Sequence, residues 1–456
     1  MSARIPMTWA ILCLAFPAWA GGGFDPLATG DGLGTAPFAA CSPAPRNGAL
    51  TLAAAIDGAL CANPQTRLAW ANARAQAAQV GVAQAAYLPS LSATAGTGRA
   101  RLADVDRDQR SVAASLSWLV FDFGGRAATL ENARQLLAAA NATQDATVQS
   151  LLLATTQAYY QAQALEAALA AAVASERAAE TSFRAAEARY RAGSAAPADR
   201  LQARTAWSQA QLNRIAADGS LKTAQGALNA LIGRDAQRPL ALATLTQGEP
   251  AANFEQNVDA LVDTARRRRP DFQAALAQAQ AARASVDAAR AAHLPSLSLG
   301  MTASDAHTAG LGDTRSGSVG LTLNVPLFTG FATHYRVRAA EAQVEARAAT
   351  AESLRLQVAQ DVWNAYQALT TATQTTRSSA DLLASAEAAD QVARGRYEAG
   401  VGSLLDLLNA QSALASARQQ RVQALFNWNV ARVALAQAMG ALDVGLIETL
   451  QEGKTP

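Results

Sequence analysis

Few residues in this chain are equipped for covalent chemistry. The 456 residues hold three histidines, His293, His307 and His334, and three cysteines, Cys13, Cys41 and Cys61. The histidines lack metal-ligand spacing. No P-loop, dinucleotide fingerprint or nucleophile elbow is present. The expectation is therefore a protein that is not an enzyme, with no cofactor and no resident metal. Cys13 sits in the apolar stretch that follows Arg4 and ends at Ala18-Trp19-Ala20, the layout of a secretory signal over residues 1–20. Ala10-Ile11-Leu12 makes a poor acylation site ahead of Cys13, so no lipid anchor is expected. Export would carry Cys41 and Cys61 into an oxidising compartment. They either form a disulfide that closes a loop of about twenty residues, or remain two buried thiols.

The elements that must position everything else have an unusual composition. Half of the chain is hydrophobic, yet only 5% is aromatic, and the net charge is +2. Much of the hydrophobic count is alanine, which favours long helices packed closely over one large core. No basic stripe interleaves with aromatics, so nucleic acid is not expected as a partner. The single charge run, Arg266 to Arg269, reads as a solvated helix end before Pro270 or as a partner-binding patch. Beyond the signal, no run reaches the roughly 18 apolar residues of a membrane-crossing helix.

The same layout occurs twice, about 206 positions apart. Leu88-Pro89-Ser90-Leu91-Ser92 returns as Leu294-Pro295-Ser296-Leu297-Ser298, and Arg189-Tyr190-Arg191-Ala192-Gly193 as Arg396-Tyr397-Glu398-Ala399-Gly400. Asn63-Pro64 answers to Arg269-Pro270, and Gly233 to Gly440. Matches kept in one order argue for a duplicated unit. The expected organisation is an irregular segment over 21–49, a first repeat over 50–233, a connector over 234–256, a second repeat over 257–440 and a tail over 441–456.

Each repeat contains two alternating segments, expected as strands at about 88–103 and 109–122, then at about 294–307 and 314–328. Val112, Leu116, Trp118 and Val120 share one face, and Val319, Leu321, Leu323 and Val325 share one in the second copy. The opposite faces carry Ser, Thr, Gly and Asn. Lipid on one side and water on the other would select this pattern; a soluble sandwich is the alternative. The polar stretches Arg99–Arg110 and Asp305–Arg315 read as loops beyond the strands. Trp118, Phe121, Phe123 and Phe328 gather at the opposite end, as interfacial aromatics do.

Long helices follow, expected over 126–192 and 331–399, with neither Gly nor Pro from Arg126 to Ala192 or from Phe331 to Arg394. A continuous helix of the first length would extend about 100 Å. Val148, Leu152, Thr155 and Tyr159 keep a coiled-coil seam. Four strands per chain cannot close a membrane barrel, since an open edge leaves backbone groups unpaired in lipid. The chain is therefore expected to associate with copies of itself. The alternative from another class is a soluble periplasmic coiled-coil scaffold.

At this point the chain resembles the TolC-like outer-membrane factors, over roughly residues 50 to 440. The resemblance rests on the twice-repeated order of the motifs above. It implies a mainly α fold with a small β part, in which each chain forms one third of a trimeric outer-membrane β-barrel and a periplasmic α-helical coiled-coil barrel. It implies the outer membrane as location and outer-membrane lipid as surroundings. The implied partners are two further copies of the chain, a periplasmic adaptor (membrane fusion) protein and an inner-membrane ABC transporter. Members serve as exit ducts for type I secretion or for drug efflux. Cys61-Ala62-Asn63-Pro64 and Trp70 look more like type I secretion members, among them the exporter of an adenylate cyclase–haemolysin toxin.

The resemblance also implies a gate at the tips of the helical hairpins. Tyr397 matches a tethering tyrosine, and Asp199 matches an aspartate partner from the other copy. Asp406 matches one ring of aspartates narrowing the entrance, while Asn409 occupies the second ring position. The prototype arginine two residues past the second tip glycine is here Gly402. Apart from any gate, Asp199 and Asp406 also read as acids favoured by a helix N-terminus.

Overall fold

The computed structural model describes residues 25–34, 49–102, 105–243, 257–443 and 445. The signal segment, Cys41, residues 244–256 and the end of the tail lie outside them. In the first half the order is α1 (Leu52–Ala62), α2 (Pro64–Ala85), β1 (Ser90–Leu102), β2 (Val105–Phe121), α3 (Gly125–Arg191) and α4 (Pro197–Leu231). The second half repeats it as α5 (Val258–Arg268), α6 (Pro270–Ala291), β3 (Ser296–Thr308), β4 (Gly312–Asn324), α7 (Ala332–Glu398) and α8 (Leu404–Ala438). Matching helices have equal lengths: 11, 22, 67 and 35 residues in each half. Local chemistry sets their ends. The Thr51 hydroxyl accepts from the Ala54 amide at 3.2 Å to start α1. Asn63 Oδ1 accepts from the Gln65 amide at 2.9 Å, and Pro64 supplies the first turn of α2.

The chain divides into two compact units. The first comprises Met1–Leu33, Arg74–Leu137 and Ala284–Arg338. Its centre is one antiparallel sheet in the order β1-β2-β3-β4. The register sorts side chains strictly by face. Leu91, Leu116, Met301 and Val319 lie in one row across the sheet, and Ser92, Ser115, Thr302 and Ser318 in the next. Hydroxyls pair across the strands on the polar face: Ser92 with Ser115, Thr302 with Ser318, and Ser304 with Ser316, each at 2.7 Å. The apolar face is bare, with Val319, Leu321 and Leu323 about two-thirds exposed.

Two expectations about these strands change. The polar stretches are continuations of the strands rather than loops. Arg99 stands opposite Asp108 and Arg101 opposite Asp106, while Asp305 faces Arg315. Opposite charges in cross-strand register hold the ladder together beyond the apolar rows; Arg99 and Asp108 meet at 2.8 Å, and Arg315 and Asp305 at 2.9 Å. Val120 does not continue the row of Trp118. Trp118 pairs with Leu299, Leu119 with Ser298 and Phe121 with Leu297, so the extra residue forms a bulge and Phe121 takes the apolar row. Arg126 then secures the passage into α3. Its guanidinium donates to the carbonyls of Leu119 and Val120, lies 4.7 Å over the Tyr87 ring and sits 3.4 Å from Asp122. Asp122 Oδ2 in turn accepts the Arg126 amide at 2.7 Å.

The second unit comprises Gly34–Ala73, Ala138–Arg283 and Ala339–Pro456, and its described part is built of helices joined by turns, with a parallel bridge between Leu50 and Leu242. Leu52, Ile56, Leu152, Tyr159, Leu228 and Val433 lie in its largest core cluster. Tyr159 is fully buried and donates to the Leu50 carbonyl at 2.9 Å. Removal from water pushes its phenol up to about 12. The duplicated glycines permit close approach at helix junctions. A Cβ on Gly440 would lie 2.7 Å from the Arg269 nitrogen, and one on Gly233 would lie 2.5 Å from Ala62 Cβ. The arginine run is split between roles. Arg269 is buried and reaches Asp271 and Asp361, each at 2.6 Å, whereas Arg267 and Arg268 are exposed.

Candidate functional site

Four of the residues singled out by sequence, Asp199, Tyr397, Asp406 and Asn409, lie at or near the turns of two helical hairpins in the second unit. Each turn follows from its glycine. Gly193 and Gly400 have φ of 74° and 76°, a left-handed conformation natural to glycine. The Gly193 amide donates to Tyr190 and that of Ser194 to Arg189; Gly400 and Val401 donate in the same way to Tyr397 and Arg396. This is the Schellman pattern, which satisfies the last carbonyls of a helix. The repeated Arg-Tyr-x-Ala-Gly string thus encodes a helix stop. Restart is local as well. Pro197 opens α4, and the Ser403 hydroxyl accepts the Asp406 amide at 3.1 Å to open α8.

Tyr397 is the anchored residue of the set. It is 7% exposed and packs with Ala186, Ala203, Leu404 and Leu407. Arg189 covers it, with the guanidinium carbon 4.1 Å from the ring centroid and Nη2 donating to the Tyr397 carbonyl at 2.7 Å. Tyr190, its counterpart, is covered from its own hairpin by Arg200 at 4.6 Å, and Arg200 reaches Glu187 at 3.8 Å. Arg189 is the residue that motif matching missed. Its signal was present, because the arginine precedes the tyrosine in both copies, but spacing along one helix does not say which ring it covers.

Asp406 is exposed in the first turn of α8, and Asn409 is exposed one turn further along. Asp199 is half-buried in the first turn of α4. Its side chain makes no hydrogen bond or ion pair with Tyr397 or any other described residue. Within a protomer, then, Tyr397 is held by Arg189 while both acids remain available. Gly402 lies against the backbone, where a Cβ would come 3.0 Å from the Tyr397 nitrogen. Among the described residues no group of three or more His, Cys, Asp or Glu could hold a metal ion. Cys61 is disulfide-bonded; Cys41, its expected partner, lies outside the described residues.

A profile of the family described as outer membrane efflux protein matches residues 55–234 and again 261–441. The chain belongs to the outer membrane efflux protein family. The relatives support this membership along most of the sequence. Protein CyaE of Bordetella pertussis is 34% identical over 414 residues, covering 89% of this chain and 87% of that protein. Outer membrane protein OprJ of Pseudomonas aeruginosa is 30% identical over 383 residues, covering 78% and 77%. Among solved structures, a membrane protein from Pseudomonas aeruginosa superposes with a TM-score of 0.77 at 25% identity, covering 85% of this chain and 93% of that one. VceC from Vibrio cholerae shares the fold with a TM-score of 0.75 at 22% identity, over 85% and 96%. This member of the efflux family is an outer-membrane transport channel with its helical tunnel in the periplasm. The soluble-scaffold alternative falls with that assignment.

Proposed function

We propose that three copies of this chain form the outer-membrane duct of a type I secretion system. The observation that carries the reading is the four-stranded sheet, apolar on one face and lined with hydroxyls on the other. β1 and β4 end that sheet, and an unpaired edge is costly in lipid. Three such sheets joined edge to edge make twelve strands, with Val112, Leu116, Trp118, Val319, Leu321 and Leu323 toward lipid, Val325 just beyond β4, and Ser and Thr toward water. Along β3 the apolar row runs from Leu297 to Ala303, roughly 20 Å of strand, before Asp305 ends it.

The duct is passive and takes its cargo from an inner-membrane ABC transporter through a periplasmic adaptor. Asp406, Asn409, Tyr397 and Asp199 form its periplasmic gate. Three exposed Asp406 carboxylates around one axis would favour cations at the entrance. A Cys41–Cys61 bridge would fasten the N-terminal segment to α1. One observation favours secretion over drug efflux: the Cys61-Ala62-Asn63-Pro64 string and Trp70 resemble type I secretion members. The cargo is then a large secreted protein of the adenylate cyclase–haemolysin toxin class. Deletion of the gene tests this. Disappearance of one large protein from the culture medium is expected; an intact set of secreted proteins with broad drug sensitivity would replace secretion by efflux.

A further inference from the structure

We propose that the lipid-facing wall ends in a binding site, built from Thr97, Arg99 and Arg110, for a phosphate carried on the headgroup of an outer-leaflet lipid. The inference rests on the assignment of faces made above. The register places all three residues on the face of the apolar rows. Along β1 that face runs from Leu91 through Ala93 and Ala95 to Thr97 and Arg99, and along β2 from Leu116 through Ala114 and Val112 to Arg110. Arg110 stands opposite Thr97, and Arg99 stands opposite Asp108, two positions further out. Arg99 and Arg110 are therefore diagonal neighbours, about 7–8 Å apart at the backbone, and long side chains at that spacing can share one anion. All three residues are exposed.

Height along the strand points to a headgroup. From Trp118 to Arg110 the strand runs roughly 27 Å, or roughly 20 Å across a bilayer at the tilt common in such barrels. Trp118 lies at the end that leads into the helices and marks the periplasmic interface, so Arg110 falls at the outer one. Membrane barrels carry aromatic girdles at both interfaces. Here Trp118 and Phe121 serve the helix end, and the four described strands hold no Trp, Tyr or Phe at the other. The first charged residue beyond the apolar rows is instead arginine on three strands: Arg99, Arg110 and Arg315. The acids on this face already have basic partners. Asp108 has Arg99 at 2.8 Å, Asp106 has Arg101 at 3.9 Å, Asp305 has Arg315 at 2.9 Å and Asp313 has His307 at 2.6 Å. Arg110 makes no hydrogen bond or ion pair with any described residue. Arg99 donates to Asp108 through Nε, which leaves both Nη groups for a second acceptor. Planar guanidinium forks match phosphate oxygens in pairs, and the Thr97 hydroxyl adds a further donor.

The test is binding of lipid A, an acylated disaccharide bearing two phosphates, to the purified full-length protein in detergent, beside the same lipid stripped of its phosphates. Wild type should prefer the phosphorylated lipid. Arg110→Gln should weaken its binding about fivefold, the worth of one arginine near an anionic surface, at an unchanged unfolding temperature. Arg110→Lys keeps the charge without the fork and should fall between the two. Arg107→Gln is the control: Arg107 lies at a similar height on the hydroxyl face, so lipid binding should stay at the wild-type level. Equal binding of the two lipids by wild type overturns the phosphate site and leaves the assignment of faces standing. Wild-type affinity in Arg110→Gln overturns it as well, and so does weaker binding accompanied by a lower unfolding temperature, which marks a structural role. Displacement of the lipid by millimolar inorganic phosphate would make the ligand a free anion and overturn the headgroup. A wild-type protein that takes up neither lipid overturns the assignment of faces itself.

Discussion

Tyr159 shows how one hydroxyl ties a seam residue to the backbone around it. The ring fills the core between α1, α3 and α4, and the hydroxyl donates to Leu50, whose carbonyl also accepts the Ala243 amide at 2.9 Å. Burial keeps the phenol protonated, with its pKa pushed up to about 12 in the folded protein. In the unfolded chain it ionises near 10. Between these values the folded state holds a proton that the unfolded state has lost, so stability falls as pH rises through the window. Below pH 10 this contribution is fully present. The difference is worth about 2–3 kcal/mol once the upper limit is passed. Tyr159→Phe should therefore flatten the decline of the unfolding midpoint between pH 10 and 12, while costing about 1 kcal/mol at neutral pH. Equal slopes for the two proteins in that window would refute the assignment.

At the scale of elements, the strands and the helix stops were legible, and cross-element partners were not. Alternation at Val319, Leu321 and Leu323 marks β4 directly, because a strand turns successive side chains to opposite faces. The register then predicts opposite outcomes for neighbouring substitutions. Leu321→Arg puts a charge on the apolar face and should cost about 2–4 kcal/mol at mid-depth, read as loss of heat-resistant protein from the outer-membrane fraction. Ser318→Arg lies on the hydroxyl face, so it should insert normally and lower conductance; failure to insert would reverse the assignment of faces. The arginine-rich and acidic hairpin ends looked like loops because polarity alone does not reveal cross-strand pairing, as at Arg99 and Asp108. The bulge at Val120 was hidden for a related reason, since one extra residue leaves composition untouched. Gly193 and Gly400 were readable as stops. That Arg189 would cover Tyr397, and that Asp199 would not, depends on how separate helices meet.

At the scale of the molecule, a chain whose sheet has two free ends is an incomplete object in a membrane. Light scattering of detergent-extracted protein should give three chain masses. A stable monodisperse monomer that still inserts would defeat the twelve-strand arrangement. The duplication told in advance that the chain is built twice over, since motif order survives where individual residues have diverged. It did not tell that the halves agree so closely in dimension. α3 and α7 both contain 67 residues, and α4 and α8 both contain 35. Deleting one residue from one of these helices would swing everything past it by about 100° and draw it back by about 1.5 Å. The shortened helix would then present the wrong stripe to neighbours that had not changed. Any viable change of reach must enter all four helices together, in blocks of about seven residues that restore the seam. Stature in this protein is thus a quantised trait, open to concerted insertions and closed to gradual drift.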